Sequence, residues 1–280
     1  LEVVVRGDRI HDDHDDVDET GRSLGAEMTP SSPPSVAVVT GASRGLGAGL
    51  ARTFSAAGVR LGLCARHLPE APTGAEVLRE IVDVADSRAL DTFAAHVVDR
   101  FGRIDLWVNN AGVLEPVGAL SQVDADDLRR HIEINVCGVL YGTATFARHV
   151  RSRPGGGVLV NISSGASTTP YQGWAAYSAS KAAVAMASEV TARDEAGFGL
   201  RVFALSPGVV DTDMQAEVRT FPTSLVPASD RFRRIHREGA FNTPEWVGRY
   251  ILEQCWPGRA PTGSEEGEPV RVRVPDEHPG

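Results

Sequence analysis

A single lysine, Lys181, stands among the 28 lysines and arginines of this 280-residue chain. Every other cation is an arginine, so the retained amine points to a compact, titratable charge that a planar guanidinium does not replace. Cysteine is scarce as well. Cys64, Cys137 and Cys255 lie far apart, which excludes a disulfide framework and the paired spacing of a metal site and leaves three core thiols. No apolar run reaches the roughly 20 residues that cross a bilayer. The N-terminus is acidic and lacks the basic-then-apolar order of a secretory signal, so a cytoplasmic chain without a membrane partner is expected. The chain also lacks a positive excess: its formal charge is -9, and residues 1–34 alone hold nine acids against three arginines. The remainder is close to balance, which argues against a nucleic-acid partner.

What is present suits a substantial core, with 42% hydrophobic residues. Residues 1–34 read as a disordered acidic tail. The His11-Asp12-Asp13-His14 run lies in a charged stretch without apolar periodicity and leads to Met28, a natural start for the folded part. From Val36 onward short apolar runs alternate with helical patterns, which predicts an α/β fold of the doubly wound Rossmann type, with a seven-stranded, mainly parallel sheet covered on both faces. The expected strands are 36–40, 59–64, 80–84, 104–109, 158–163, 200–205 and 270–274. The expected helices are 45–57, 87–101, 124–150, 175–196 and 243–255. One domain over 35–275 follows, with a short tail at 276–280. Pro69, Pro72 and Gly74 leave no room for a crossover helix between the second and third strands. Residues 213–242, with Pro222, Pro227 and the basic group Arg231, Arg233 and Arg234, lie beyond the C-terminal end of a strand and form a candidate lid.

The chemistry is concentrated in a few words of sequence. Lys181 follows Tyr177 by four positions, so on a helix a phenol and an ammonium share one face. A neighbouring cation is expected to lower the phenol's pKa toward the working pH, as a general acid for carbonyl reduction needs. Gly41, Gly45 and Gly47 in Thr40-Gly41-Ala42-Ser43-Arg44-Gly45-Leu46-Gly47 join the first strand to the first helix, where free amides and the helix dipole favour a phosphate.

This turn, with Asn109-Asn110-Ala111-Gly112 after the fourth strand and then Asn135, Ser164, Tyr177, Lys181, Pro207-Gly208 and Thr212 in order, resembles the classical short-chain dehydrogenase/reductase family over residues 36 to about 256. The resemblance implies that Tyr177 protonates the carbonyl oxygen while hydride reaches the carbon. It further implies that Ser164 bonds the same oxygen, Lys181 holds the ribose and lowers the tyrosine pKa, and Asn135 binds a water in the proton relay. Ser163 is the rival to Ser164. Cofactor contacts are implied for Gly41, Ser43, Arg44, Gly45, Leu46, Gly47, Asp83, Val84, Asn109, Ala111, Gly112, Pro207, Gly208 and Thr212.

Leu63-Cys64-Ala65-Arg66 offers no acid for a ribose 2'-hydroxyl, whereas Arg66 and Arg44 suit a 2'-phosphate, so NADP(H) is the expected cofactor. Asn161 to Ala166, Pro170 to Tyr177 and Ser206 to Gln215 look like the sepiapterin reductase and bacterial benzil reductase branch. Gly165, Tyr171, Trp174 and Met214 are then candidate substrate contacts for a flat dicarbonyl. Arg271, where a pterin reductase would carry an acid, argues against a pterin. The alternatives are a ketoacyl-thioester or polyketide reductase, a sepiapterin-type enzyme, and a nucleotide-binding sensor. A homodimer or homotetramer built on the two long helices is the assembly that the resemblance implies.

Overall fold

The computed structural model of the protein describes residues 35–256 and 270–278. The expected acidic tail, residues 1–34, lies outside the described residues. The strands are β1 (Val36–Thr40), β2 (Arg60–Ala65), β3 (Val77–Ile81), β4 (Leu106–Asn109), β5 (Gly157–Ile162), β6 (Leu200–Ser206) and β7 (Arg271–Arg273). They form one parallel sheet in the order β3-β2-β1-β4-β5-β6-β7. Strand order reverses between β1 and β4, and a ligand crevice opens beyond the carboxyl ends at such a reversal. β1 and β5 are buried along their whole length, which explains why they read as unbroken apolar runs rather than alternating ones.

Helices cover both faces. α1 (Gly45–Ala56) and α8 (Pro244–Tyr250) pack through Leu50, Phe54 and Val247 on one side. On the other, α2 (Ser87–Phe101) and α4 (Gly138–Arg151) pack through Phe93, Val97 and Phe146 around Trp107. α5 (Ala175–Glu195) lies against β6 and α4.

Three expectations need correction. β3 runs over 77–81, not 80–84: it is an edge strand paired only with β2, and its partners run from Leu61–Val77 to Ala65–Ile81. The apolar signal of Val82 and Val84 belongs instead to buried residues just past the strand. The helix expected over 124–150 is α3 (Ala125–Ile132), then a π turn over Glu133–Cys137, then α4. Such turns insert one residue into the ladder and recur at functional positions. The last expected helix likewise ends in a π turn, Ile251–Cys255. The candidate lid, residues 213–242, holds two short helices, α6 (Asp213–Thr220) and α7 (Ser229–Glu238). Val218, Val226 and Phe232 from this segment are buried against Leu114, Ala166 and Trp174, a third apolar cluster that roofs the crevice.

Candidate active site

A cavity of about 1210 Å³ opens at the carboxyl end of the sheet and is lined from the glycine turn at one end to α7 at the other. Its floor is the junction of β1 and β4. Thr40 Oγ1 accepts the amides of Asn110 at 3.0 Å and Ala111 at 3.2 Å, while Asn110 Nδ2 donates to the carbonyls of Thr40 and Gly41 at 2.9 and 3.2 Å. The two loops therefore touch. A Cβ on Gly41 would stand 2.7 Å from Ala111 Cα, and one on Gly47 2.4 Å from the Gly41 oxygen, so glycine at both positions is a steric requirement. α2, α3, α6 and α8 each receive a side-chain cap at the N-terminus, from Asp86, Asp124, Thr212 and Thr243, whereas α1, like α5 and α7, has none. Its first amides are left for a ligand, and an anion is the group they favour.

Ser164 follows β5, and its Oγ accepts the amide of Ala166 at 3.2 Å. Its hydroxyl faces the phenol of Tyr177 and favours the phenolate. Ser163 is occupied elsewhere, donating to the Lys181 carbonyl at 3.4 Å from a buried position. Tyr177 and Lys181 stand one turn apart on α5, the amine 5.6 Å from the phenol ring centroid. Lys181 Nζ donates to the Ile162 carbonyl at 2.7 Å. Burial lowers this amine from 10.5 to about 8. Burial also raises Tyr177, with the Ser164 hydroxyl pulling the other way. The expected lowering by the amine does not appear, because removing the phenol from water disfavours its anion more than its polar neighbours favour it.

Every residue expected to touch cofactor or substrate lines this cavity except Gly47 and Asn109. Asn109 is buried, accepting from Trp107 Nε1 at 2.8 Å and donating to Asn161 Oδ1 at 2.9 Å, so it ties β4 to β5 instead of facing a ligand. Asn135 also stands back from the wall. Its amide exchanges two hydrogen bonds with the Val113 backbone, at 2.8 and 2.7 Å, and the side chain expected to bind a relay water is thus committed to the loop after β4.

Arg66, just past β2, forms no ion pair among the described residues, whereas Arg44 is 3.3 Å from Asp213 of α6. Asp83 meets Arg130 of α3. Burial works to raise its carboxyl, but hydrogen bonds from Arg130 and the Ala85 amide outweigh that and hold it below its ordinary value. Arg271 pairs with Glu189 of α5, so its charge is already compensated. Trp174 links the roof to the site: its ring stacks on Phe232 at 5.6 Å and meets Tyr171 at 5.0 Å and Tyr177 edge-on at 5.8 Å.

Sequence reasoning passed over Thr40, Asn110, Arg130, His131, Ser180 and Phe232. Thr40 and Asn110 lay inside words already singled out, Ser180 lies between Tyr177 and Lys181, and His131 is one helical turn before Asn135, a spacing that places both on one face.

The sequence profile described as short chain dehydrogenase matches residues 35–223. The "Benzil reductase ((S)-benzoin forming)" of Bacillus cereus is 29% identical over 248 residues, covering 84% of this chain and 98% of that protein. The 2-(R)-hydroxypropyl-CoM dehydrogenase of Xanthobacter autotrophicus (strain ATCC BAA-1158 / Py2) is 35% identical over 212 residues, covering 70% and 84%. Among solved structures, the KRED1-Pglu enzyme superposes with a TM-score of 0.70 at 31% identity, over 80% of this chain and 97% of that one. No helix among the described residues is long and apolar enough to cross a membrane.

Proposed function

This chain belongs to the short-chain dehydrogenase family, and we propose that it reduces a ketone of a small, benzil-like dicarbonyl with NADPH, with Tyr177 as the proton donor. The observation that carries the reading is the convergence of Ser164, Tyr177 and Lys181 on one side of a cavity whose other end is an uncapped helix N-terminus. A bound nicotinamide cofactor supplies the hydride. The residues present fit such a group: the amides of α1 and the Ser43 hydroxyl would hold the pyrophosphate, and Arg66, with Arg44, the 2'-phosphate. The rest is the work of the chain's own side chains. With its pKa raised by burial, Tyr177 carries its proton at neutral pH, which suits an acid that must donate to a developing alkoxide. Ser164 adds a second donor to the same oxygen, and Lys181 places a positive charge behind them.

Tyr171 and Trp174 provide flat apolar surface beside Tyr177, which favours an aromatic or vicinal dicarbonyl, and the resemblance to benzil reductases points the same way. The roof formed by α6 and α7 is read as the lid. Assembly into a homodimer or homotetramer is part of the same proposal, with Leu140 and Tyr141 of α4 and Met186 and Val190 of α5 exposed to support it.

The test is oxidation of NADPH and of NADH by the purified protein with benzil, and in parallel with a ketoacyl thioester and a pterin ketone. Turnover of benzil with NADPH is expected. In Tyr177→Phe, kcat should fall by about 10²- to 10⁴-fold while NADPH still binds. Turnover of the thioester alone would replace the dicarbonyl assignment, and a fully active Tyr177→Phe would remove the proton donor.

A further inference from the structure

Beneath the proposed proton donor lies a buried histidine with a fixed hydrogen-bond pattern. His131 is 1% exposed. Its Nδ1 lies 2.6 Å from the carbonyl oxygen of Glu115, and its Nε2 lies 3.1 Å from both Ser180 Oγ and Asn135 Nδ2. The partners assign the tautomer. A carbonyl oxygen only accepts, so Nδ1 carries the proton. The Asn135 amide is oriented by the Val113 backbone, with Oδ1 accepting and Nδ2 donating, and the second hydrogen on Nδ2 lies between Nε2 at 3.1 Å and Ser180 Oγ at 3.4 Å. The Ser180 hydroxyl donates to the Tyr177 carbonyl at 2.8 Å. The imidazole is therefore neutral. Burial holds it below its ordinary range, with Lys181 adding to that and the carbonyls of Glu115 and Ala176 opposing.

Each partner belongs to a different part of the site. Glu115 lies in the loop after β4 and lines the cavity. Asn135 lies in the π turn, and Ser180 sits on α5 between Tyr177 and Lys181. The ring of His131 also meets that of Tyr177 edge-on at 6.4 Å. We infer that His131 is a positioning residue: its neutral ring fastens the loop after β4 to Asn135, whose amide also reaches Ser180 Oγ at 3.4 Å, and so sets where Tyr177 and Lys181 stand. Protonation of Nε2 would oppose a donor to the Asn135 amide and break that link. The inference rests on Tyr177 being the proton donor.

The test compares His131→Leu with His131→Gln, whose amide oxygen can accept from Asn135 Nδ2. In the leucine variant, kcat should fall about tenfold or more, equivalent to about 1.4 kcal/mol, with KM and the NADPH Kd unchanged within about threefold. The glutamine variant should recover most of the loss. A second readout needs no substrate. The ultraviolet titration of Tyr177, isolated from the chain's four tyrosines by difference against Tyr177→Phe, should move in His131→Leu. A folded leucine variant with unchanged kcat and unchanged tyrosine titration overturns the proposal, as does a glutamine variant as damaged as the leucine one. If the leucine variant does not fold, His131→Gln beside Ser180→Ala decides: a loss of kcat in Ser180→Ala that His131→Gln does not share supports the link, and no loss in Ser180→Ala overturns it. Should the wild-type protein reduce no dicarbonyl, the substrate assignment fails while the tyrosine titration still decides the role of His131.

Discussion

Replacing Lys181 by methionine is expected to stabilise the protein and silence it in one step. The residue is 5% exposed, and burial lowers its amine from 10.5 to about 8. The unfolded chain keeps an ordinary lysine. Below pH 8 both states are charged and the folded state bears the whole cost, which for 10.5 against about 8 is on the order of 3 kcal/mol. Between pH 8 and 10.5 the unfolded state binds the extra proton, so stability rises with pH across that window and the cost disappears above it. Methionine is unbranched, of similar length and uncharged. It forfeits the hydrogen bond to the Ile162 carbonyl, a loss of about 1 kcal/mol, and leaves a net gain of about 1–2 kcal/mol at pH 7. Urea denaturation of the cofactor-free protein at pH 7, 9 and 10 measures this. The methionine variant should be more stable at pH 7, and its advantage should shrink by pH 10. Because the chain has one lysine, selective ¹³C-lysine labelling gives a single side-chain resonance, whose titration near pH 8 can be followed directly. A methionine variant less stable at pH 7, an advantage that does not shrink with pH, or a resonance that titrates near 10.5 would refute the reasoning.

Arg66→Ala should weaken NADPH binding by about 10- to 100-fold, the loss of one charge-assisted contact, and leave NADH within about threefold. Equal losses by fluorescence titration would remove the 2'-phosphate assignment. His149 Nε2 accepts the Ile104 amide at 3.0 Å and Arg153 Nε at 2.9 Å. Burial, with Arg153 adding to it, holds this imidazole down to about 4. Because the folded-state value is depressed, its contribution is complete above pH 6.5 and is lost as pH falls toward 4. In urea melts at pH 7.5 and 5, His149→Gln should therefore lose about 2 kcal/mol less than the wild-type protein; parallel losses would show that the histidine is not the titrating group. Gly47→Ala should lower both the melting temperature and NADPH affinity, since its Cβ would meet the Gly41 oxygen at 2.4 Å, and an unchanged Kd would show that the turn has room.

The central strands were legible because a strand buried on both faces is an apolar run with turn residues at its ends, as in Val36 to Thr40. β3 escaped the same logic at the sheet edge, where Val77 and Leu78 are only half-buried and Arg79, Glu80 and Ile81 interrupt the pattern. The π turn around Asn135 was illegible, since one inserted residue barely alters helical periodicity. α7 was hidden by its own charge. Its arginines mask any apolar periodicity, yet Arg233 donates to the carbonyls of Arg219 and Phe221 at 3.0 and 2.5 Å, while Phe232 is buried under the roof. Asn109 shows a different limit: position after a strand signals a ligand contact, but which way a side chain turns depends on neighbours from β5 and α4 that are distant in sequence.

The distance between Ser164 and Tyr177 is set by how α5 sits on β5, and buried polar links hold that placement along the helix. Lys181 Nζ bonds the Ile162 carbonyl at 2.7 Å, and Ser163 Oγ bonds the Lys181 carbonyl at 3.4 Å. Two turns further on, Asn161 Nδ2 bonds Ser188 Oγ at 2.9 Å, and Asn161 is itself held by Asn109. Lys181 therefore does two things, fixing the helix through its hydrogen bond and charging the site through its ammonium. Methionine removes both, but the links through Ser163 and Ser188 do not involve the amine and remain. Fully satisfied buried networks rigidify the core around them, so the Asn109–Asn161–Ser188 series is expected to hold α5 in place in the methionine variant. Its missing turnover then measures the ammonium and not a displaced helix.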